Sequence, residues 1–113
     1  MLKNIEIIGL MSGTSLDGLD IAHVAFDFSA ALPTFELLHS ETLPYSDEIL
    51  AKLNVAKTFS VPEMLMLDKE IGRFYALKVV DFIKKYKIDS KIIAAIASHG
   101  QTIFHAPKSL HPN

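Results

Sequence analysis

Ile92-Ile93-Ala94-Ala95-Ile96-Ala97 is a run of six apolar residues with no polar interruption. Alternation would mark a strand with one wet face. Its absence, with isoleucine recurring, marks a central parallel strand buried on both faces. A parallel strand needs a long crossover before it, and the residues upstream supply one. In Ser60-Val61-Pro62-Glu63, Ser60 is placed as an N-cap, Glu63 completes a capping box, and Pro62 falls in the first turn, where proline is tolerated. Beyond it Leu67, Ile71, Phe74, Tyr75, Val79, Phe82, Ile83 and Tyr86 recur at three- and four-residue steps, while Asp68, Lys69, Arg73, Lys84 and Lys85 lie mostly off that stripe. This pattern predicts a long amphipathic helix laid over one face of a sheet, its stripe being core and not a cofactor box. Lys84, Lys85 and Lys87 read as a solvated helix end, where positive charge suits the helix dipole.

Working further back, Ser46 reads as an N-cap with Asp47 and Glu48 in the first turn, starting a short helix that ends near Lys57. Ahead of it stand three strand-like segments, Ile5 to Leu10, Leu19 to Phe28 and Thr34 to Leu43, the last closing at Pro44. The order is therefore β-β-β-α-α-β. Three antiparallel strands, helices and then a parallel strand predict an α/β fold of ribonuclease-H-like layout, with the fourth strand parallel to the first. The right-handed crossover rule fixes which face the helices cover. If the first and fourth strands are neighbours, the loops beginning at Met11 and at Ser98 meet at one rim. Open α/β sheets bind ligands outside the carboxyl ends of their strands, so this rim is the expected site. The last strand of the chain is also expected to be an exposed edge that pairs with another copy.

Composition narrows the function. Of 113 residues, 50% are hydrophobic and 21% charged, a globular composition compatible with one small domain or part of a larger one. The net charge of −2 comes without a basic stripe, so nothing favours nucleic acid as a partner. With no cysteine, the chain has no disulfide, thiolate zinc site or cysteine nucleophile. The six-residue apolar run is far short of the roughly 20 residues a bilayer crossing needs, and Glu6 interrupts the N-terminal apolar segment, so no signal peptide is read there. A soluble cytoplasmic protein is the expectation.

Gly13-Thr14-Ser15-Leu16-Asp17-Gly18-Leu19-Asp20 carries the most chemistry. Gly13 and Gly18 let the backbone turn tightly and approach a ligand. Successive N–H groups and the Thr14 and Ser15 hydroxyls can face phosphate oxygens, and Asp17 and Asp20 can orient the waters of Mg²⁺. Neither G-x-x-x-x-G-K-[ST] nor G-x-G-x-x-G is present, so a phosphate loop here is of the hairpin kind. The same residues also make an ordinary hairpin turn, and their chemistry alone leaves both readings open. His99 can bind a sugar hydroxyl or hold its own loop, and Gln101 offers a donor and an acceptor to either. The spacing of His99, His105 and His111 fits no familiar metal-ligand pattern.

Gly9-Leu10-Met11-Ser12-Gly13-Thr14-Ser15-Leu16-Asp17-Gly18-Leu19-Asp20 resembles the N-terminal signature of anhydro-N-acetylmuramic acid kinases. Ser98-His99-Gly100-Gln101-Thr102-Ile103-Phe104-His105 resembles a second segment of that family, at the expected place. Leu67-Asp68-Lys69-Glu70-Ile71-Gly72 resembles a weaker one, with Ile71 where leucine is more usual. The resemblance covers nearly all of this chain but only the first part of the family's longer one.

It implies a two-domain fold of the actin, hexokinase and Hsp70 type, residues 1–113 being the N-terminal portion of the first domain and the second domain lying outside the chain. It also implies hydrolysis of a 1,6-anhydro ring with ATP- and Mg²⁺-dependent phosphorylation of O6 in peptidoglycan recycling, by a cytoplasmic homodimer. Gly13 to Asp20 would hold the ATP phosphates, with Asp17 and Asp20 acting on Mg²⁺ through water. Ser98, His99, Gly100, Gln101 and Thr102 would face the sugar. The catalytic base, second phosphate loop and adenosine pocket would lie downstream of Asn113, leaving this chain inactive by itself. A non-catalytic nucleotide-binding or sensor module is the alternative from a different class, and a protein-interaction remnant is a third.

Overall fold

A computed structural model describes residues 4–12, 16 and 18–104. Its elements follow the order read from the sequence: β1 (Asn4–Ser12), β2 (Leu19–Asp27), β3 (Thr34–Leu43), α1 (Asp47–Val55), a 3-10 turn (Ala56–Thr58), α2 (Val61–Lys85), a second 3-10 turn (Ser90–Ile92) and β4 (Ile93–Gln101). The four strands form one mixed sheet in the order β3-β2-β1-β4. β1 pairs antiparallel with β2, β2 antiparallel with β3, and β1 parallel with β4. The chain is thus α/β, with the fourth strand beside the first and parallel to it, as the sequence predicts.

Local chemistry sets the helix starts. Ser46 accepts from the Ile49 N–H at 3.2 Å and starts α1. Ser60 and Glu63 form the expected capping box: the Ser60 side chain accepts from the Glu63 N–H, and Glu63 Oε1 accepts from the Ser60 N–H at 3.0 Å. That satisfies donors which a helix N-terminus otherwise leaves without partners.

Both helices lie on one face of the sheet. Ile8 and Leu10 of β1 and Leu19 and Ile21 of β2 meet Ile49 and Leu53 of α1 and Leu67, Ile71, Tyr75, Val79 and Phe82 of α2. Ile8, Leu19 and Ile21 are wholly buried and Phe82 nearly so. Each such side chain contributes about 1.5–3 kcal/mol by leaving water, so this single layer is the main stabilising term. α2 crosses the sheet obliquely. Its middle reaches Ser12 at the end of β1, and its far end reaches β3, where Lys85 Nζ lies 2.8 Å from Glu41 Oε1 and Tyr86 packs on His39.

One expectation needs correction. β4 is parallel, but it is neither central nor buried on both faces among the described residues. It ends the strand order, residues 94–99 are exposed, and Ile96 keeps 53% of its surface in water. The apolar run reports what the strand is suited to contact, whereas burial depends on neighbours, and among the described residues β4 has a strand neighbour only in β1. The companion expectation of an exposed edge strand holds.

Candidate functional site

Parallel pairing decides where the two singled-out segments go. Leu10 stands opposite Ser98 and Ser12 opposite Gln101, so β1 and β4 end at the same rim. Gly13, Thr14, Ser15 and Asp17 lie outside the described residues, as does His105. Leu16 is half-buried against the core with φ of 61°, a left-handed conformation that costs a branched side chain energy and that the packing must hold in place. Gly18, at φ 138°, lies so close to β3 that a Cβ there would fall on the Leu43 carbonyl oxygen. Here glycine is required on both counts. Leu19 turns its side chain wholly into the core, leaving its backbone as the part it can offer a ligand.

Asp20 is exposed and held. It faces Thr42 across β2 and β3, and the Thr42 hydroxyl donates to its Oδ1 at 2.6 Å. Thr42 was not singled out from sequence, because only the strand register brings it there. Asp20 also lines a groove of about 520 Å³ on the uncovered face of the sheet, with Gly9, Leu10, Met11, Ala22, Ala97, Ser98 and His99. The groove therefore carries residues of both segments.

The second segment divides between the two faces. His99 is exposed and joins Asp20 on the open groove, its Nδ1 lying 3.3 Å from the Gly100 carbonyl. Ser98 Oγ accepts from the Gly100 N–H at 3.2 Å, and Gly100 has φ of 79°, so the strand turns here. Gln101 goes to the other face, where it lines a cleft of about 410 Å³ under α2 with Asp68, Gly72 and Tyr75. Its Nε2 donates to the Thr102 carbonyl at 3.0 Å, and its Oε1 accepts from the Tyr45 hydroxyl at 2.7 Å. Thr102 is half-buried beside it.

Sequence reasoning missed Tyr45 and Tyr75, whose hydroxyls meet Ser12 Oγ beneath the rim at 2.7 and 2.6 Å. Burial pushes the Tyr45 phenol well above its ordinary range, so it remains a neutral O–H donor. Among the described residues no group of three or more His, Cys, Asp or Glu is gathered as a direct metal cage. A single anchored carboxylate such as Asp20 instead suits a cation that keeps most of its own water.

The profile of the family described as anhydro-N-acetylmuramic acid kinase matches residues 5–113. This chain belongs to the anhydro-N-acetylmuramic acid kinase family. An anhydro-N-acetylmuramic acid kinase of Shewanella baltica (strain OS185) is 39% identical over 107 residues, 94% of this chain and 28% of the relative. One of Coxiella burnetii (strain Dugway 5J108-111) is 41% identical over 106 residues, covering 93% and 27%. One of Pseudoalteromonas translucida (strain TAC 125) is 37% identical over 108 residues, covering 93% and 27%. The chain thus spans just over a quarter of the length of these kinases. No helix among the described residues is long and apolar enough to cross a membrane.

Proposed function

We propose that this chain is the phosphate-gripping and sugar-facing part of an ATP-dependent kinase that hydrolyses the 1,6-anhydro ring of anhydro-N-acetylmuramic acid and phosphorylates O6. In this reading it is the N-terminal portion of the first domain of a ribonuclease-H-like, actin-type fold. The complete enzyme acts in the cytoplasm as a homodimer in peptidoglycan recycling. The observation that carries the reading is the parallel register of Leu10 with Ser98, which sets Asp20 and His99 on one groove.

Phosphoryl transfer needs the γ-phosphate and the attacking oxygen held in line, with donors and metal meeting the charge that spreads over the transferred group. In this reading residues 13–20 supply N–H groups and hydroxyls to the phosphates. Asp20, with one oxygen anchored by Thr42, fits a Mg²⁺ partner acting through water, and Asp17 is proposed as the second. When bound, the cation would offset phosphate charge. His99, exposed in the same groove, is proposed to meet a sugar hydroxyl, with Ser98, Gly100, Gln101 and Thr102 proposed as its companions on the sugar side; the Ser98–Gly100 bond supports the backbone beside it.

Calorimetric titration of the chain with Mg-ATP tests the first half of this reading. Binding is expected, weakened about tenfold or more in Asp17→Asn and Asp20→Asn, since each loses a charge-assisted contact. No heat of binding in the parent chain would refute the phosphate role of segment 13–20. Binding without phosphorylation of the anhydro sugar is the result expected for this chain alone, because in this reading it is a portion of the first domain and supplies only part of such a cleft.

A further inference from the structure

Backbone pairing is irregular where the rim needs spacing most. Between the Leu10–Ser98 and Ser12–Gln101 pairs, β1 advances two residues while β4 advances three, and Gly100 sits at φ 79° inside that bulge. A bulge breaks the ladder locally, so the hydrogen-bonded backbone does not by itself fix the ends of the two strands against each other.

Side chains beneath the rim do so. Ser12 ends β1, Gln101 ends β4, Tyr45 lies between β3 and α1, and Tyr75 lies midway along α2. Ser12, Tyr45 and Tyr75 are 1%, 7% and 8% exposed, so water does not substitute for their contacts. The Ser12–Tyr75, Ser12–Tyr45 and Tyr45–Gln101 contacts measure 2.6, 2.7 and 2.7 Å, and Tyr45–Tyr75 measures 3.0 Å.

Tyr45 is the centre of this cluster. The single Tyr45 hydrogen faces two acceptors, Ser12 Oγ and Gln101 Oε1. Gln101 Oε1 has no hydrogen to give, and the amide nitrogen beside it serves the Thr102 carbonyl. Ser12, Tyr45 and Tyr75 bring three hydrogens to four contacts, and Tyr45, whose hydroxyl is the donor toward both Ser12 and Gln101, is the link common to the two strand ends. Tyr45–Tyr75 is the longest of the four contacts. The Tyr45 hydroxyl is thus shared between Ser12 at the end of β1 and Gln101 at the end of β4, with Tyr75 closing the cluster from α2. Buried chains of this kind polarise each link and stiffen the whole.

We propose that Tyr45 and Tyr75 are positioning residues that lock the end of β1 to the end of β4, so that Ser12 and the backbone around His99 move as one unit. The tie is a property of the fold. Its meaning for catalysis, coupling a nucleotide-facing segment to a sugar-facing one, rests on the function proposed above.

Hydrogen exchange on the intact chain, followed by peptide, separates the two. Tyr45→Phe keeps the ring and deletes the central hydroxyl. Val79→Ala, which removes core volume one helical turn from Tyr75 without deleting a hydroxyl, calibrates the effect of lost global stability. Exchange at both 9–12 and 98–101 is expected to rise about tenfold more in Tyr45→Phe than in Val79→Ala at equal urea midpoint. Equal exchange in the two variants, or a rise at one strand end only, would overturn the tie. Should Tyr45→Phe not fold, Tyr75→Phe carries the same comparison, because it removes the Tyr75 hydroxyl from Ser12 and Tyr45 and leaves the Tyr45–Gln101 contact.

Adding Mg-ATP makes the second arm. In the parent chain it is expected to raise protection at both strand ends, and in Tyr45→Phe only near 9–12. Protection of both ends in the variant would overturn the coupling. If Mg-ATP changes nothing in the parent chain, the nucleotide reading fails, and the ligand-free comparison still decides the tie.

Discussion

Nδ1 of His23 and Nδ1 of His39 face each other at 3.1 Å across β2 and β3, their rings stacked within 11° of parallel. One ring must donate and the other accept. On its other side His23 Nε2 lies 2.6 Å from Glu6 Oε1, and His23 is only 3% exposed. A carboxylate, two imidazoles and the Tyr86 ring thus cross the helix-covered face beyond the apolar core. Replacing His23 by leucine keeps the volume apolar but leaves the partly buried Glu6 carboxylate and His39 Nδ1 without their partner. We expect a loss of about 1–3 kcal/mol in urea unfolding. Glu6→Gln, which still offers an oxygen to His23, should cost less, about 0.5–1.5 kcal/mol. Equal costs would mean that the pairing adds nothing beyond packing.

Gly18 and Gly9 make a second comparison. Gly18 combines φ of 138° with a Cβ position that the Leu43 carbonyl occupies, whereas a Cβ on Gly9 would meet nothing within 4 Å. Gly18→Ala is therefore expected to destabilise by roughly 2–4 kcal/mol, through strain and displacement of the end of β3. Gly9→Ala should fall between neutral and a gain of about 1 kcal/mol, since alanine loses less freedom on folding. Because Gly9 also lines the open groove, the same variant narrows the proposed site without loosening the fold. Thermal melts of both variants check the contrast.

At the start of α2 the Ser60 backbone N–H, and then the Ser60 hydroxyl, hold the Glu63 carboxyl below its usual range. The sign follows from linkage. A carboxyl whose folded pKa is depressed contributes stability that is fully present above its unfolded value of 4.5 and is lost as pH falls through the folded value. Glu63→Gln keeps the capping geometry and removes the titration, so the fall in Tm below about pH 4.5 should be shallower than in the parent chain. Ser60→Ala removes the cap itself and is expected to cost about 1 kcal/mol at neutral pH. A Glu63→Gln acid limb as steep as the parent's would show that other carboxyls carry the effect.

Much of the fold was legible because its signals are local. Caps at Ser46 and Ser60, the proline after β3 and the stripe from Leu67 to Phe82 each act within a few residues, and each appears where the sequence places it. The meeting of the two segments was legible through topology, since a parallel β4 beside β1 brings Ser98 to Leu10. Partners far apart in sequence were not legible. Tyr75 sits in an apolar stripe like any core aromatic, and nothing nearby reveals that its hydroxyl meets Ser12, 63 positions away. Tyr45 looks like a linker residue after Pro44. His23 left a trace, being a polar residue in the inward register of Leu19 and Ile21, but its partner Glu6 is defined only once the register of β1 against β2 is known.

β4 provides the last test. Its inner edge pairs with β1, and among the described residues no strand pairs with its outer edge. Residues 94–99 are exposed, with Ile96 at 53% and no charged side chain along them. An unpaired, apolar, uncharged edge is a template for another strand, and natural sheets blunt such edges with charge or cover. The isolated chain should therefore associate as its concentration rises, seen as an increasing weight-average sedimentation coefficient. Ile96→Lys puts a charge on the edge at an exposed position, so it should suppress association while leaving the melting temperature nearly unchanged. If the parent chain sediments as a monomer throughout, the edge is blocked by something other than the described strands. If Ile96→Lys associates as strongly as the parent, the contact lies elsewhere, and the uncovered sheet face around Phe35 and Leu37, 72% and 54% exposed, becomes the surface to mutate.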